Sequence, residues 1–265
     1  MLEPPMTVAA LTMYVEPAEV RDAYRQLAEA VALRLGETLD PAPEDLPALW
    51  THPELLLAQT CGYPWATRLR GQVRLVAAPR YRFAGCQAAE HCAFILVPEM
   101  LEATGLADLR GKRVALNGLD SNTGMNLLRH AVAPLAERAR FFGEMIVSES
   151  HANSLALLQQ GHADVASVDA VTYGYLQRAQ PERVAGLRLL QRTRPSPTLP
   201  FITAASRSDA DVEALRAALN DSLAADPALA DILAIEGVTA VDETTYLPLL
   251  DWRREAVEQG YPVIA

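Results

Sequence analysis

The chain has 265 residues, half of them apolar and about a fifth charged, which suits one or two domains with a real core and excludes a disordered chain. A net charge of −10 and a pI near 5.0 exclude a sequence-independent grip on nucleic acid, because that needs clustered Lys and Arg. No run approaches the ~18–20 apolar residues of a membrane span, and Met1 to Pro5 carry no signal-peptide pattern. The expectation is no membrane insertion, in a protein that is cytoplasmic as written or periplasmic if a leader has been removed.

Taken in chain order, Met6 to Met13 is a short apolar run. Val20, Tyr24, Leu27, Val31 and Leu35 then recur at helical spacing until Gly36. After the loop Asp40-Pro41-Ala42-Pro43, Glu54 to Ala58 predicts a buried strand that runs into the turn Gln59 to Pro64. Val73 to Ala77 and Ala93 to Val97 are further strands, separated by the polar, aromatic stretch Arg80 to Cys92. Arg113 to Leu116 predicts a strand, and Met125, Leu128, Val132 and Leu135 keep one helical face apolar behind it. Glu144 to Val147, Asp164 to Val168 and Leu187 to Leu190 complete the strand set, with helices over Ser154 to Gln160 and Ala170 to Gln177. Alternation of strands and helices predicts parallel sheets of the α/β class.

Three prolines within Arg194 to Pro200 forbid an ordinary helix or central strand, so this segment reads as a crossing between lobes. Beyond it come the strand Phe201 to Ala204, a helix carrying Val212, Leu215, Leu219 and Leu223 on one face, and helical segments around Leu229 to Leu233 and Thr244 to Val257. The expected organisation is a discontinuous first lobe, residues 1–98 and 201–265, and a second lobe, 99–200. Two crossings would permit hinge closure over a cleft.

Cys61, Cys86 and Cys92 lack the paired spacing of a structural zinc site and are too few for a disulfide framework. Buried free thiols are expected, with a Cys61–Cys86 bridge left open for an oxidising compartment. No metal and no cofactor are expected.

Asn117-Gly118-Leu119-Asp120-Ser121-Asn122-Thr123-Gly124 lies between a predicted strand and an amphipathic helix. A helix start exposes unpaired N–H groups and the positive end of the dipole, and Ser121 and Thr123 add hydroxyl donors. That pattern fits an anion cradle, and it fits simple helix capping by Asp120, Ser121 or Asn122 as well. Ser150-His151-Ala152-Asn153-Ser154 precedes another helix. Asp169 ends a strand from which a helix starts at once, where it serves either as a cap or as a ligand contact at a strand's carboxyl end.

Leu109 to Ala115, Asp120 to Gly124, Ser150-His151, Ser154-Leu155, Leu157-Leu158, Gly161 and Asp164 to Tyr173, followed by the Pro-rich crossing, together resemble the second lobe of the phosphate/phosphite/phosphonate-binding components of ABC importers. The match is specific over residues 105–203 and looser before them. The resemblance implies a type 2 periplasmic-binding-protein fold, two α/β lobes with a ligand cleft between them. It also implies a small oxyanion held by Ser121, Asn122 and Thr123, with a further donor from His151, a wall from Tyr14 and Tyr63, and Asp169 as a contact for a ligand amine. An ABC permease is the implied partner. Asn122 stands where the family usually carries Ser or Thr.

The competing reading is an enzyme on the same scaffold, of the menaquinone- or thiamine-pathway kind, with His151, Asp169 and Cys61 as candidates for its chemistry. The GxSxG, HExxH, Walker A and GxGxxG patterns are all absent from the sequence, and binding without catalysis is the expectation, either as the solute-binding component of an ABC importer or as a cytosolic sensor derived from one.

Overall fold

The computed structural model describes residues 6–265; Met1 to Pro5, which bear on the leader question, lie outside the described residues. The chain divides into two units. The first holds the residues up to Arg82, Gln87–Ala89 and Pro197–Tyr246; the second holds Phe83–Cys86, Glu90–Ser196 and Leu247–Ala265.

In the first unit a six-stranded sheet runs in the order Ile235–Thr239, Val73–Tyr81, Phe201–Ala204, Leu55–Gln59, Thr7–Ala10, Leu39–Asp40. Its long helix, Ala18–Leu35, buries Val20, Ala23, Tyr24, Leu27, Ala28, Val31 and Ala32, a stripe at i, i+3, i+4 spacing. Gly36 ends that helix at φ 70°, and the Glu37 N–H reaches back to Ala32 O at 3.0 Å, a left-handed stop that glycine adopts without a Cβ penalty. Tyr24 and Tyr81 share a buried hydroxyl contact of 2.7 Å beneath it.

The second unit is built on a five-stranded sheet in the order Leu187–Arg192, Ala93–Pro98, Val165–Asp169, Arg113–Leu116, Glu144–Val147. Val165–Asp169 is buried along its whole length, as a central strand covered on both faces must be. Leu155, Leu158, Val168, Leu176 and Phe94 form the core on one side of it.

The sheets are mixed, where the alternation predicted parallel ones. Glu144–Val147, Arg113–Leu116 and Val165–Asp169 are parallel neighbours, joined through helical crossovers. Ala93–Pro98 enters from the other direction and pairs antiparallel with both Val165–Asp169 and Leu187–Arg192. In the first unit Phe201–Ala204 is likewise antiparallel to both its neighbours. The strand Ile235–Thr239, between two predicted helices, was not expected.

The unit boundaries also differ from the expected ones. Ala93–Pro98 lies in the second sheet, so the first lobe does not extend to residue 98. Leu247–Ala265 packs on the second unit, through Asn126 Nδ2 to Leu249 O (3.1 Å), Arg129 Nη1 to Pro262 O (3.0 Å) and His130 Nε2 to Glu255 Oε2 (2.7 Å). The Arg194 guanidinium adds a contact 4.6 Å above the Trp252 ring. The chain therefore passes between units around residues 82–90, at Ser196–Pro197 and at Tyr246–Leu247 rather than twice. Cys61, Cys86 and Cys92 are all free thiols.

Candidate functional site

In the second unit the strand Arg113–Leu116 delivers the chain into the turn that starts at Asn117. Ser121 is extended (φ −77°, ψ 134°) and caps the helix that follows, its Oγ accepting from Gly124 N at 3.0 Å. The helix opens with one π turn, Asn122–Asn126, and continues without a break as Leu127–Val132. A π turn at a helix start widens the ring of backbone groups and is frequent at functional sites. The first-turn amides of a helix lack i−4 carbonyl partners and lie at its positive end, and here Ser121 Oγ takes the one of Gly124.

Gly124 is dictated by close approach. A Cβ there would overlap the Asn117 side chain and lie 3.1 Å from Ser121 Oγ, so only glycine lets the turn close beneath Asn117. Ser167, inside the central strand, donates from Oγ to Thr123 O at 2.6 Å and ties the turn to the sheet.

His151 is the first residue of the helix His151–Gln159, which starts three residues earlier than the periodicity of its apolar positions suggests because Ser150 caps it at Asn153 N (3.0 Å). Its Nε2 lies 3.2 Å from Thr123 Oγ1, and Nδ1 is enclosed. Burial pushes the imidazole down to about 4, with the His91 ring acting in the same direction and the Asp169 charge opposing. His151 is therefore neutral at neutral pH and exchanges a neutral hydrogen bond with the Thr123 hydroxyl. Ser148 braces the same corner, its Oγ 2.6 Å from Ser154 Oγ.

Asp169 is 2% exposed. One carboxylate oxygen, Oδ1, accepts from Val171 N (2.8 Å) and Thr172 N (2.9 Å) as the cap of the helix Ala170–Ala179. The other, Oδ2, lies 2.9 Å from His91 Nδ1, and His91 is 1% exposed. Burial disfavours the charge on Asp169, yet the adjacent His91 and His151 rings and the Thr172 amide hold its carboxyl below the ordinary value. Its oxygens are engaged by the helix cap and by His91.

The structure thus brings Ser121, Asn122, Thr123 and His151 together, with Asp169 behind them. Asn122 donates from Nδ2 to Ser196 Oγ (3.0 Å) and accepts at Oδ1 from Asn126 Nδ2 (3.2 Å), so its amide orients neighbours. Tyr14 and Tyr63 belong to the first unit. There the Tyr14 ring stacks on Tyr24 (6.0 Å between centroids) and meets Tyr81 edge-on (5.9 Å). Tyr63 is buried in the helical turn Gly62–Pro64, and its carbonyl accepts from Thr67 Oγ1. Cys61 lies in that first unit too.

Sequence reasoning missed His91, Asn126, Arg129, Ser167 and Ser196. Ser196 was legible only as part of a Pro-rich crossing, and Asn126 and Arg129 only as members of an otherwise apolar helix. Nothing in the spacing marks His91 as the partner of a residue far along the chain. No group of three or more His, Cys, Asp or Glu that could hold a metal ion occurs among the described residues, and no helix of the described residues is long and apolar enough to cross a membrane.

The mixed α/β fold is that of periplasmic-binding-protein-like structures. Within that class, the chain belongs to the family described as ABC transporter, phosphonate, periplasmic substrate-binding protein, whose model matches residues 10–246. No curated protein sequence matches the chain. Similar solved structures include a binding protein component of an ABC phosphonate transporter from Pseudomonas aeruginosa, at 14% identity and a TM-score of 0.78 over 97% of this chain and 88% of that one. PhnD1 from Prochlorococcus marinus, in complex with methylphosphonate, is similar at 14% identity and 0.75 over 96% and 98% of the two chains. The alkanesulfonate-binding protein SsuA from Xanthomonas axonopodis pv. citri, bound to MOPS, follows at 18% and 0.65 over 100% and 97%. At these identities the likeness is one of fold. Family membership implies a small anionic ligand and a permease partner.

Proposed function

We propose that the chain is a non-catalytic solute-binding protein that takes a phosphonate-class oxyanion, phosphonate, phosphite or phosphate, at the start of the helix Asn122–Val132. The observation that carries this reading is the Ser121–Gly124 turn: a hydroxyl cap, a π-widened first turn, and Thr123 Oγ1 held 3.2 Å from a neutral His151. Backbone N–H groups at the positive end of a helix, with hydroxyls beside them, suit an anion whatever the global charge.

Absence of catalysis is supported by the use already made of the candidate groups. Within the second unit, Asp169 Oδ1 caps a helix and Oδ2 lies against the His91 ring, which leaves Asp169 placed to brace the fold. Asp169 is proposed to orient the site rather than to meet a ligand amine, which favours an anion without an amino group.

Thermal shift and calorimetry with methylphosphonate, phosphite, phosphate, 2-aminoethylphosphonate and sulfate test the reading, since a ligand of the folded form stabilises by about RT ln(1 + [L]/Kd). A phosphorus oxyanion is expected to bind, and S121A/T123A is expected to abolish the response while remaining folded. A full response in the double variant would remove the cradle from consideration. A response to sulfate alone would move the ligand to the sulfonate side of the fold class.

A further inference from the structure

Behind the helix start runs a line of buried polar side chains that capping does not require. Arg129 is 4% exposed, yet no carboxylate lies within ion-pair distance of it among the described residues. Its Nη1 donates to Pro262 O (3.0 Å), its Nη2 donates to Asn126 Oδ1 (2.6 Å), and its Nε is buried without a hydrogen-bond partner. A buried guanidinium facing only neutral oxygens is an uncompensated charge, which is costly unless an anion completes its surroundings.

The direction of the line follows from elementary valence. Arginine only donates, so the atom of Asn126 facing it must be the carbonyl oxygen, which fixes an amide orientation that is otherwise a matter of assignment. Asn126 Nδ2 is then left to donate to Asn122 Oδ1, and Asn122 Nδ2 to Ser196 Oγ. Each link polarises the next in the same sense, away from the positive charge and towards Ser196. A hydroxyl that accepts still carries one proton to donate. Ser196 is 1% exposed, and its hydroxyl has no recorded acceptor among the described residues.

One end of the line is an unneutralised cation and the other is an O–H without an acceptor, one side chain removed from the first amide of the helix. We propose that Ser196 is an additional anion contact, its hydroxyl aimed at the ligand by the relay from Arg129 through Asn126 and Asn122, with Arg129 as a positioning residue that supplies the relay's positive charge. This assignment rests on the oxyanion reading above and adds to it a donor that the helix start does not contain.

The test uses the full chain, with methylphosphonate as probe and phosphite, phosphate and sulfate in parallel, and reads Kd by calorimetry beside the melting temperature without ligand. S196A is expected to weaken the binding of the phosphorus oxyanion that the wild type takes by roughly tenfold, the scale of one lost hydrogen bond to a charged group. Its unliganded melting temperature is expected to fall, because Asn122 Nδ2 loses its buried acceptor, so the binding constant is the deciding readout. N126D places a carboxylate against Arg129 but removes the donor to Asn122 Oδ1 and to Leu249 O, so it breaks the relay and is expected to weaken binding at least as much. A merely structural role predicts lower stability in both variants with Kd unaltered. Binding within twofold of wild type in S196A overturns the assignment alone. Failure of the wild type to bind any of the four anions overturns the oxyanion reading and this assignment together.

Discussion

Acidification of the second unit should expose the enclosed state of His151. Its imidazole titrates at about 4 in the folded protein against an ordinary 6.5, because burial disfavours the charged ring. The folded-state value is depressed, so between pH 6.5 and 4 the unfolded chain binds the extra proton. The stability contributed by neutral His151 is therefore complete above pH 6.5 and is lost as the pH falls towards 4. Integrating that difference gives a loss of about 2 kcal/mol by pH 5 and roughly 3 kcal/mol by pH 4. These are upper figures, because the residue is only partly buried as a whole although Nδ1 is enclosed. Urea unfolding of wild type and H151Q at pH 7.5, 6, 5 and 4.5 isolates the effect, since the carboxylates common to both cancel. The wild type should lose more stability than H151Q across that window, most steeply between pH 6 and 5. Parallel curves for the two proteins would show that His151 is solvated, and the neutral Thr123–His151 pair would have to be abandoned.

Two further outcomes follow from geometry away from that ring. Asp164 accepts from Arg113 Nη2 (2.7 Å), Nε (3.1 Å) and backbone N (2.9 Å), contacts that hold its carboxyl below the ordinary range. D164N should cost about 1 kcal/mol at pH 7, discounted for the pair's exposure, and the gap from wild type should shrink in chemical denaturation as the pH falls below ~4, where the ordinary aspartate protonates. G124A should destabilise by ~1–3 kcal/mol through the clash with Asn117 and lose the thermal response to methylphosphonate. An unchanged melting temperature would mean that Asn117 swings aside freely.

What could be seen in the sequence was local. The strand Arg113–Leu116, the loop to Gly124 and the helix behind it were legible because strand composition, turn chemistry and a 3.6-residue apolar repeat follow one another within twenty residues. Ser121, Thr123 and His151 were legible by the same kind of signal, hydroxyls and a histidine at predicted helix starts. Leu247–Ala265 was assigned to the first lobe and belongs to the second unit, because an amphipathic helix announces that it packs without saying on what. Asp169 was visible as a helix cap, but its His91 partner is a long-range contact with no periodic trace. Arg129 was hidden for a different reason, since its position in an otherwise apolar helix reads as the polar face of a surface element, whereas the fold encloses it.

Every residue from Ser121 to Arg129 is buried, the π turn and its polar side chains included. The groups that would set ligand preference are thus also core residues, so a change of preference made there carries a folding cost with it. Drift or engineering towards a different anion should therefore be easier from the flanks, at His151 or the partly exposed Asn117, than within the helix. A reporter built on this scaffold would keep residues 121–129 fixed and attach its dye elsewhere.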